Sequence, residues 1–314
     1  MYGLSPVKDF RRAFRAMLTN QIAKYAPALY IRLTHETGRG GGAESIEEIA
    51  AYFETCFADY FKMLDISSEK IPEWLAGKTV LEYGPGDVPA VALLTIAFGA
   101  ERVICADRFE LVSLSDKNVA VLRCLMDRLP APARARAYAC FREAGKPETG
   151  FEEGRISYVV HPSGLSGIRD CADLIISRAV LEHVNDLSAT FSDLAAALRT
   201  GGIAVQLVDL RSHGLHRSNP LDFLTWPSWI WSLMYSAKGV PNRWRVDSYR
   251  RYVEEQALEV LRLTPTTVAD SSDIAAVRRY LANPFRELSD EDLSWLGFWL
   301  VCRKRDGQSI PNSS

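Results

Sequence analysis

The most constraining stretch of this chain is Val80-Leu81-Glu82-Tyr83-Gly84-Pro85-Gly86-Asp87. A strand-like apolar run stops at two glycines two apart, and an apolar helical segment over 91–98 follows until Gly99 stops it. Gly84 permits a tight turn, and Gly86 lets a ligand approach the backbone without meeting a Cβ. The next strand-like run, 102–106, ends at Asp107, 21 residues beyond Gly86. In a parallel strand–helix–strand unit that acid lies beside the glycine loop, where it can accept hydrogen bonds from both hydroxyls of a ribose.

The pattern continues along the chain. Runs 156–160, 173–177 and 203–210 read as third, fourth and fifth strands. Before the fifth, Leu187, Phe191, Leu194 and Leu198 mark an amphipathic helix, which Gly201-Gly202 is expected to end. Runs 258–263 and 296–302 supply two further strands, with a helix expected over 246–256. Strands alternating with helices predict a parallel α/β sheet covered on both faces. Residues 1–72 read as a helical addition. Phe10, Phe14, Met17 and Leu18 recur at helical spacing beside Lys8, Arg11, Arg12 and Arg15, and the Phe residues are expected to pack on the core, with an anionic membrane surface as the alternative for this basic helix. After a break at 38–42, Ser45 and Glu48 form a capping box ahead of the stripe Ile46, Ile49, Phe53, Phe57 and Phe61. The expected divisions are 1–72 helical, 73–210 ligand-binding core, 211–256 cap, 257–305 closing strand pair and 306–314 tail.

Composition narrows the function. Among 314 residues, 37 Lys and Arg balance 39 Asp and Glu, so no field favours nucleic acid. No apolar run approaches the roughly 20 residues of a membrane span, and the first residues lack the apolar stretch of a secretory signal. Six scattered cysteines without a CxxC pair predict free thiols in a reducing compartment, and a cytoplasmic location. A nicotinamide fingerprint would carry a third glycine three residues after Gly86, where this chain has Pro89. Glu82 beside the turn suits a cationic ligand and would repel a pyrophosphate.

With these residues in view, the chain resembles the class I S-adenosylmethionine-dependent methyltransferases over about 76–210. Glu82-Tyr83-Gly84-Pro85-Gly86 is similar to the family's first motif. The resemblance implies that Glu82, Tyr83, Gly84 and Gly86 surround the methionine moiety of S-adenosylmethionine. Asp107, with Arg108 next to it, matches the ribose end. The segment 173–184 resembles the fourth strand and the turn after it, which puts Ser177 and Arg178 at the cofactor. Where the family offers an acid or amide to adenine, this chain has His161-Pro162-Ser163-Gly164, so Ser163 or backbone groups take that contact. The implied fold is a seven-stranded doubly wound sheet of order 3-2-1-4-5-7-6, strand seven antiparallel. The implied activity is methyl transfer (EC 2.1.1.-) to a small-molecule or saccharide-like acceptor, at oxygen or nitrogen. The alternatives are a nicotinamide-dependent oxidoreductase and a non-catalytic binding protein of the same fold.

Methyl transfer needs an aligned nucleophile and, for a hydroxyl or amine, a base. His213, soon after the fifth strand, is the first candidate, since an imidazole is ordinarily largely neutral near pH 7. His183, after the fourth, is the second. The acceptor is expected between the second helix, the turn 177–183 and the segment 209–231. His213 and His216 are three apart, but no further ligand cluster accompanies them, and no metal is expected. The Trp-rich segment 211–245 is read as a lid over the acceptor, with a satellite core as the alternative.

Overall fold

The computed structural model of the protein describes residues 6–26, 43–237 and 241–305. The break at 38–42, His35 and the tail at 306–314 lie outside them. Seven strands form one sheet: β1 (Thr79–Tyr83), β2 (Arg102–Asp107), β3 (Ile156–Val160), β4 (Ala172–Arg178), β5 (Leu198–Asp209), β6 (Leu258–Val268) and β7 (Trp295–Lys304). Their order is β3-β2-β1-β4-β5-β7-β6. The first four neighbouring pairs are parallel, and β7 runs antiparallel to both β5 and β6. The expected order and the reversed strand are both present.

Strand alternation divides the core. Val80, Val103, Leu174, Ile176 and Val205 face a layer that includes α2 (Ile46–Met63), α4 (Ala90–Ala97) and α5 (Asp116–Arg128). Leu81, Ile104, Ile175, Ala204 and Phe298 face α7 (Leu187–Ala197) and α9 (Val246–Glu255). The capping box on α2 is formed: Glu48 N donates to Ser45 Oγ at 3.2 Å and Ser45 N to Glu48 Oε2 at 2.7 Å. A short α3 (Ile71–Leu75) leads into β1, and α6 (Ala131–Tyr138) follows α5. The sequence reading had no helix between β2 and β3. The cap signal at Ser115, which accepts from Asn118 N at 3.2 Å, was there to be read. None of the six cysteines forms a disulfide.

Two expectations fail. The Gly201-Gly202 pair does not end a helix. α7 stops at Ala197, Leu198 is already extended and pairs with Ala172, and β4–β5 shifts register there. A Cβ on Gly202 would stand 2.8 Å from Arg199 O and 3.0 Å from Ala172 O, so the glycine belongs to a strand irregularity. The first helix, α1 (Pro6–Tyr25), does not bury its phenylalanines. Phe10 and Phe14 are 70% and 56% exposed, while Ala13, Ala16, Asn20 and Ala23 face inward. Small side chains let α1 approach α8 (Ser228–Tyr235) closely, and Asn20 Nδ2 donates to Leu233 O at 3.0 Å.

The Trp-rich segment carries a third core. Trp226, Trp231 and Met234 pack with Phe223, with Ile274 and Val277 of α10 (Ser271–Val277), and with Phe285, while Trp229 stays 66% exposed. A short α11 (Asp290–Ser294) then leads into β7. Fully buried Arg245 fastens this layer to the sheet by donating to Leu210 O at 3.0 Å and to Trp295 O. No described helix is long and apolar enough to cross a membrane.

Candidate active site

The C-terminal ends of β1, β2, β4 and β5 meet along one rim. At β1, Gly84 (φ +75°) donates its N–H to Ala106 O at 2.8 Å, and a Cβ there would collide with Val180. Gly86 (φ +72°) is different: nothing lies within 4 Å of where its Cβ would stand. Asp87 O accepts from Ser113 N at 3.1 Å and Asn118 Nδ2 at 3.2 Å, which holds the loop open. At β2, Asp107 is largely buried, and its Oδ1 accepts from Arg108 N at 2.7 Å. Burial nevertheless raises its carboxyl above the usual range, against the pull of the Arg108 and Phe109 amides. An open glycine cradle beside a buried carboxylate at the next strand end fits an adenosine ligand.

Glu82, next to the end of β1, is buried. Burial pushes its carboxyl up to about 8, although the Ala92 amide favours the charged form, and Cys105 Sγ lies 3.9 Å from Oε2. A carboxyl raised in the folded state holds its proton there while the unfolded chain has lost it. Stability therefore falls as pH rises from about 4.5 toward about 8. Glu82→Gln keeps the acceptor for Ala92 and removes the titration. Its melting temperature is expected to match the parent near pH 5, to exceed it at pH 8, and to lose the intervening slope. Equal pH dependence in the two proteins would contradict this.

The other expected contacts scatter. The Tyr83 ring is buried against Gly164, just past β3. Ser163 is exposed, and its N–H donates to His161 Nδ1 at 3.2 Å. Ser177 is buried and donates to Gln206 Oε1. Arg178 points into the α2 layer, where Nη1 meets Asp59 Oδ2 at 3.0 Å and the guanidinium lies over Tyr52 and Trp299. Arg108 crosses the rim, and its Nη1 donates to His183 O at 3.0 Å.

That bond ties the nucleoside end to the histidine end. His183 and His213 come together with ring centroids 5.2 Å apart. His213 is in the left-handed region (φ +46°), and its Nε2 lies 3.4 Å from Asp209 Oδ2. Although burial pushes Asp209 up, hydrogen bonds from Arg211 and His213 hold its carboxyl far below the usual range. Beneath them is Glu182, fully buried, which the sequence reading passed over as part of a turn. Burial raises its carboxyl to about 8, and the nearby N–H groups of Glu182 and Asp209 offset this only in part. His216 is engaged elsewhere, with Nδ1 on Ser212 Oγ at 2.5 Å. A cavity of about 590 Å³ opens behind the turn, lined by Val184, Trp231, Asn242 and Trp244 among others. Its lining includes neither the glycine loop nor α2.

A family model described as a methyltransferase domain matches residues 61–263. Among curated proteins no sequence relative was found. Several solved structures resemble the chain at low identity. An S-adenosylmethionine-dependent methyltransferase from Mesorhizobium loti is 16% identical over 73% of this chain and 92% of its own, with a TM-score of 0.39. YcgJ from Bacillus subtilis is 13% identical over 75% and 97%, with a TM-score of 0.39. Phosphoethanolamine N-methyltransferase 2 of Haemonchus contortus, solved with S-adenosylmethionine, is 14% identical over 75% and 51%, with a TM-score of 0.40.

Proposed function

Because the chain belongs to the methyltransferase-domain family and is an S-adenosylmethionine-dependent methyltransferase, we propose that it methylates oxygen or nitrogen of a small-molecule or saccharide-like acceptor. The observation that carries the reading is the single rim joining Gly86 and Asp107 to the His183–His213 pair through Arg108. When bound, S-adenosylmethionine supplies an already activated sulfonium methyl group. Gly86 leaves room for the methionine end, and Asp107 accepts from the ribose hydroxyls. Ser163 and the backbone around it sit at the adenine end, past β3. His213 takes the acceptor's proton, with His183 as the second candidate. The segment 211–256 walls the acceptor side and keeps water from the reacting atoms. The near-neutral charge of the chain supports a small acceptor over a nucleic acid.

Purified protein is expected to bind S-adenosylmethionine and its demethylated product, and not NAD, in calorimetric titration. Incubated with methyl-labelled cofactor and a cell extract, it should label small molecules. Label confined to RNA or protein would overturn the acceptor class, and tight NAD binding would overturn the cofactor assignment.

A further inference from the structure

We propose that Glu182, His183 and His213 bind one divalent first-row transition ion beside the acceptor. Each residue offers a ligand atom, and the three atoms lie within 4.8 Å of one another. Bonds of about 2.0–2.2 Å to such an ion set tetrahedral ligand atoms roughly 3.4 Å apart, a contraction that side-chain rotation supplies. Two imidazoles and one carboxylate suit Zn²⁺, Co²⁺, Fe²⁺ or Mn²⁺, whereas Mg²⁺ and Ca²⁺ favour all-oxygen sites.

A second observation is independent of that spacing. Glu182 is fully buried, yet neither carboxylate oxygen makes a hydrogen bond of ordinary geometry, with the N–H groups of Glu182 and Asp209 lying nearby. A buried carboxyl left unsatisfied is costly and uncommon. Two donors close to it are committed elsewhere: Tyr249 Oη donates to Leu181 O at 3.3 Å, and Arg211 Nε to Asp209 Oδ1 at 2.8 Å. A cation between Glu182 and the two rings satisfies the group that no side chain reaches.

The surroundings are those of a ligand shell. Asp209 Oδ2 stands 3.4 Å from His213 Nε2, the arrangement in which a carboxylate orients an imidazole whose other nitrogen binds metal. The Glu182–His183 turn is fixed by Arg108 on one side, and on the other by Asn242, whose Nδ2 donates to Leu181 O at 2.9 Å. Three protein ligands leave a position open for an acceptor oxygen. The ion's place in the reaction rests on the methyl-transfer reading; its binding does not. An acceptor hydroxyl sheds its proton to solvent as it binds the ion, before the site closes, and its lone pair then forms the C–O bond as the C–S pair returns to sulfur. With the ion bound, His213 serves the acceptor as a ligand; proton transfer to His213 belongs to the ion-free site.

The test is metal binding by the full chain after chelator treatment, without cofactor or acceptor. Co²⁺ is followed by its visible d–d absorption and Zn²⁺ by competition with a chromophoric indicator. One equivalent of each is expected to bind, with millimolar Mg²⁺ failing to displace it. Glu182→Gln and His213→Gly should each weaken binding roughly 100-fold or more without lowering the melting temperature of the metal-free protein. His216→Ala should bind as the parent does. If Glu182→Gln does not fold, His183→Gln takes its place. A folded parent that takes up neither ion, or a Glu182→Gln protein that binds as well as the parent, overturns the site. S-adenosylmethionine is titrated into the same preparation. Cofactor binding without metal binding removes this proposal alone, and metal binding without cofactor binding leaves the site standing while the methyl-transfer reading falls.

Discussion

Asp107→Ala is expected to weaken S-adenosylmethionine binding by roughly 2–4 kcal/mol, about 30- to 900-fold, in a protein that still folds. Asp107 ends β2 at the rim, and its Oδ1 is occupied by the Arg108 amide at 2.7 Å. That amide fixes the carboxylate before a ligand arrives, so the ribose hydroxyls meet a prepositioned acceptor. Alanine removes the charged acceptor and leaves the Arg108 and Phe109 amides to water. Asp107→Asn keeps one acceptor and should fall between alanine and the parent. Calorimetric titration measures each value, and unchanged affinity in folded Asp107→Ala would withdraw the residue from the site. Gly86→Ala is a companion: at φ +72° the new side chain is strained and also fills the open cradle, so it should lose cofactor and some stability together.

His213→Ala is expected to lower kcat by roughly 10²–10⁴ while S-adenosylmethionine affinity stays within a few-fold. The reason for the split is position. His213 lies past β5, against His183 and Asp209, whereas Gly86 lies past β1 and Asp107 ends β2. Loss in kcat with cofactor binding preserved places the residue on the acceptor's side of the reaction. Single-turnover measurement with saturating cofactor separates this from slow product release. Near-normal turnover would assign His213 to packing of the cap and leave catalysis to alignment alone.

The parts legible in the sequence are those written within one structural unit. Gly84, Gly86 and Asp107 lie in one strand–helix–strand unit, and the alternation of Val80, Leu81, Glu82 and Tyr83 already assigns faces to β1. Glu182 escaped because its burial is decided by α9 and the cap: Asn242 and Tyr249 close over the turn from 58 or more residues away. The approach of His183 to His213 likewise depends on β4 and β5 lying side by side, a pairing that neither histidine's neighbours encode. Arg178 looked like a rim residue by position, but strand alternation turns it to Asp59 on α2. The helical spacing of Phe10 and Phe14 was real. Which stripe faces inward is set by Ala13, Ala16 and Asn20, whose partners in the cap lie more than 200 residues further on.

The strand between β5 and β6 is translated after both of them. As the ribosome delivers β5 and then β6, each lacks the partner that separates them in the sheet, and the backbone groups on the facing edge of β5 wait unpaired until β7 arrives. Arg245 waits with them, since its acceptor at Trp295 belongs to the same late strand. The rim around His213 therefore cannot settle while the nascent chain is still short of residue 295. Pairing among β1–β4 does not depend on β7, whereas the facing edge of β5 stays open to aggregation until that long-range strand is in place.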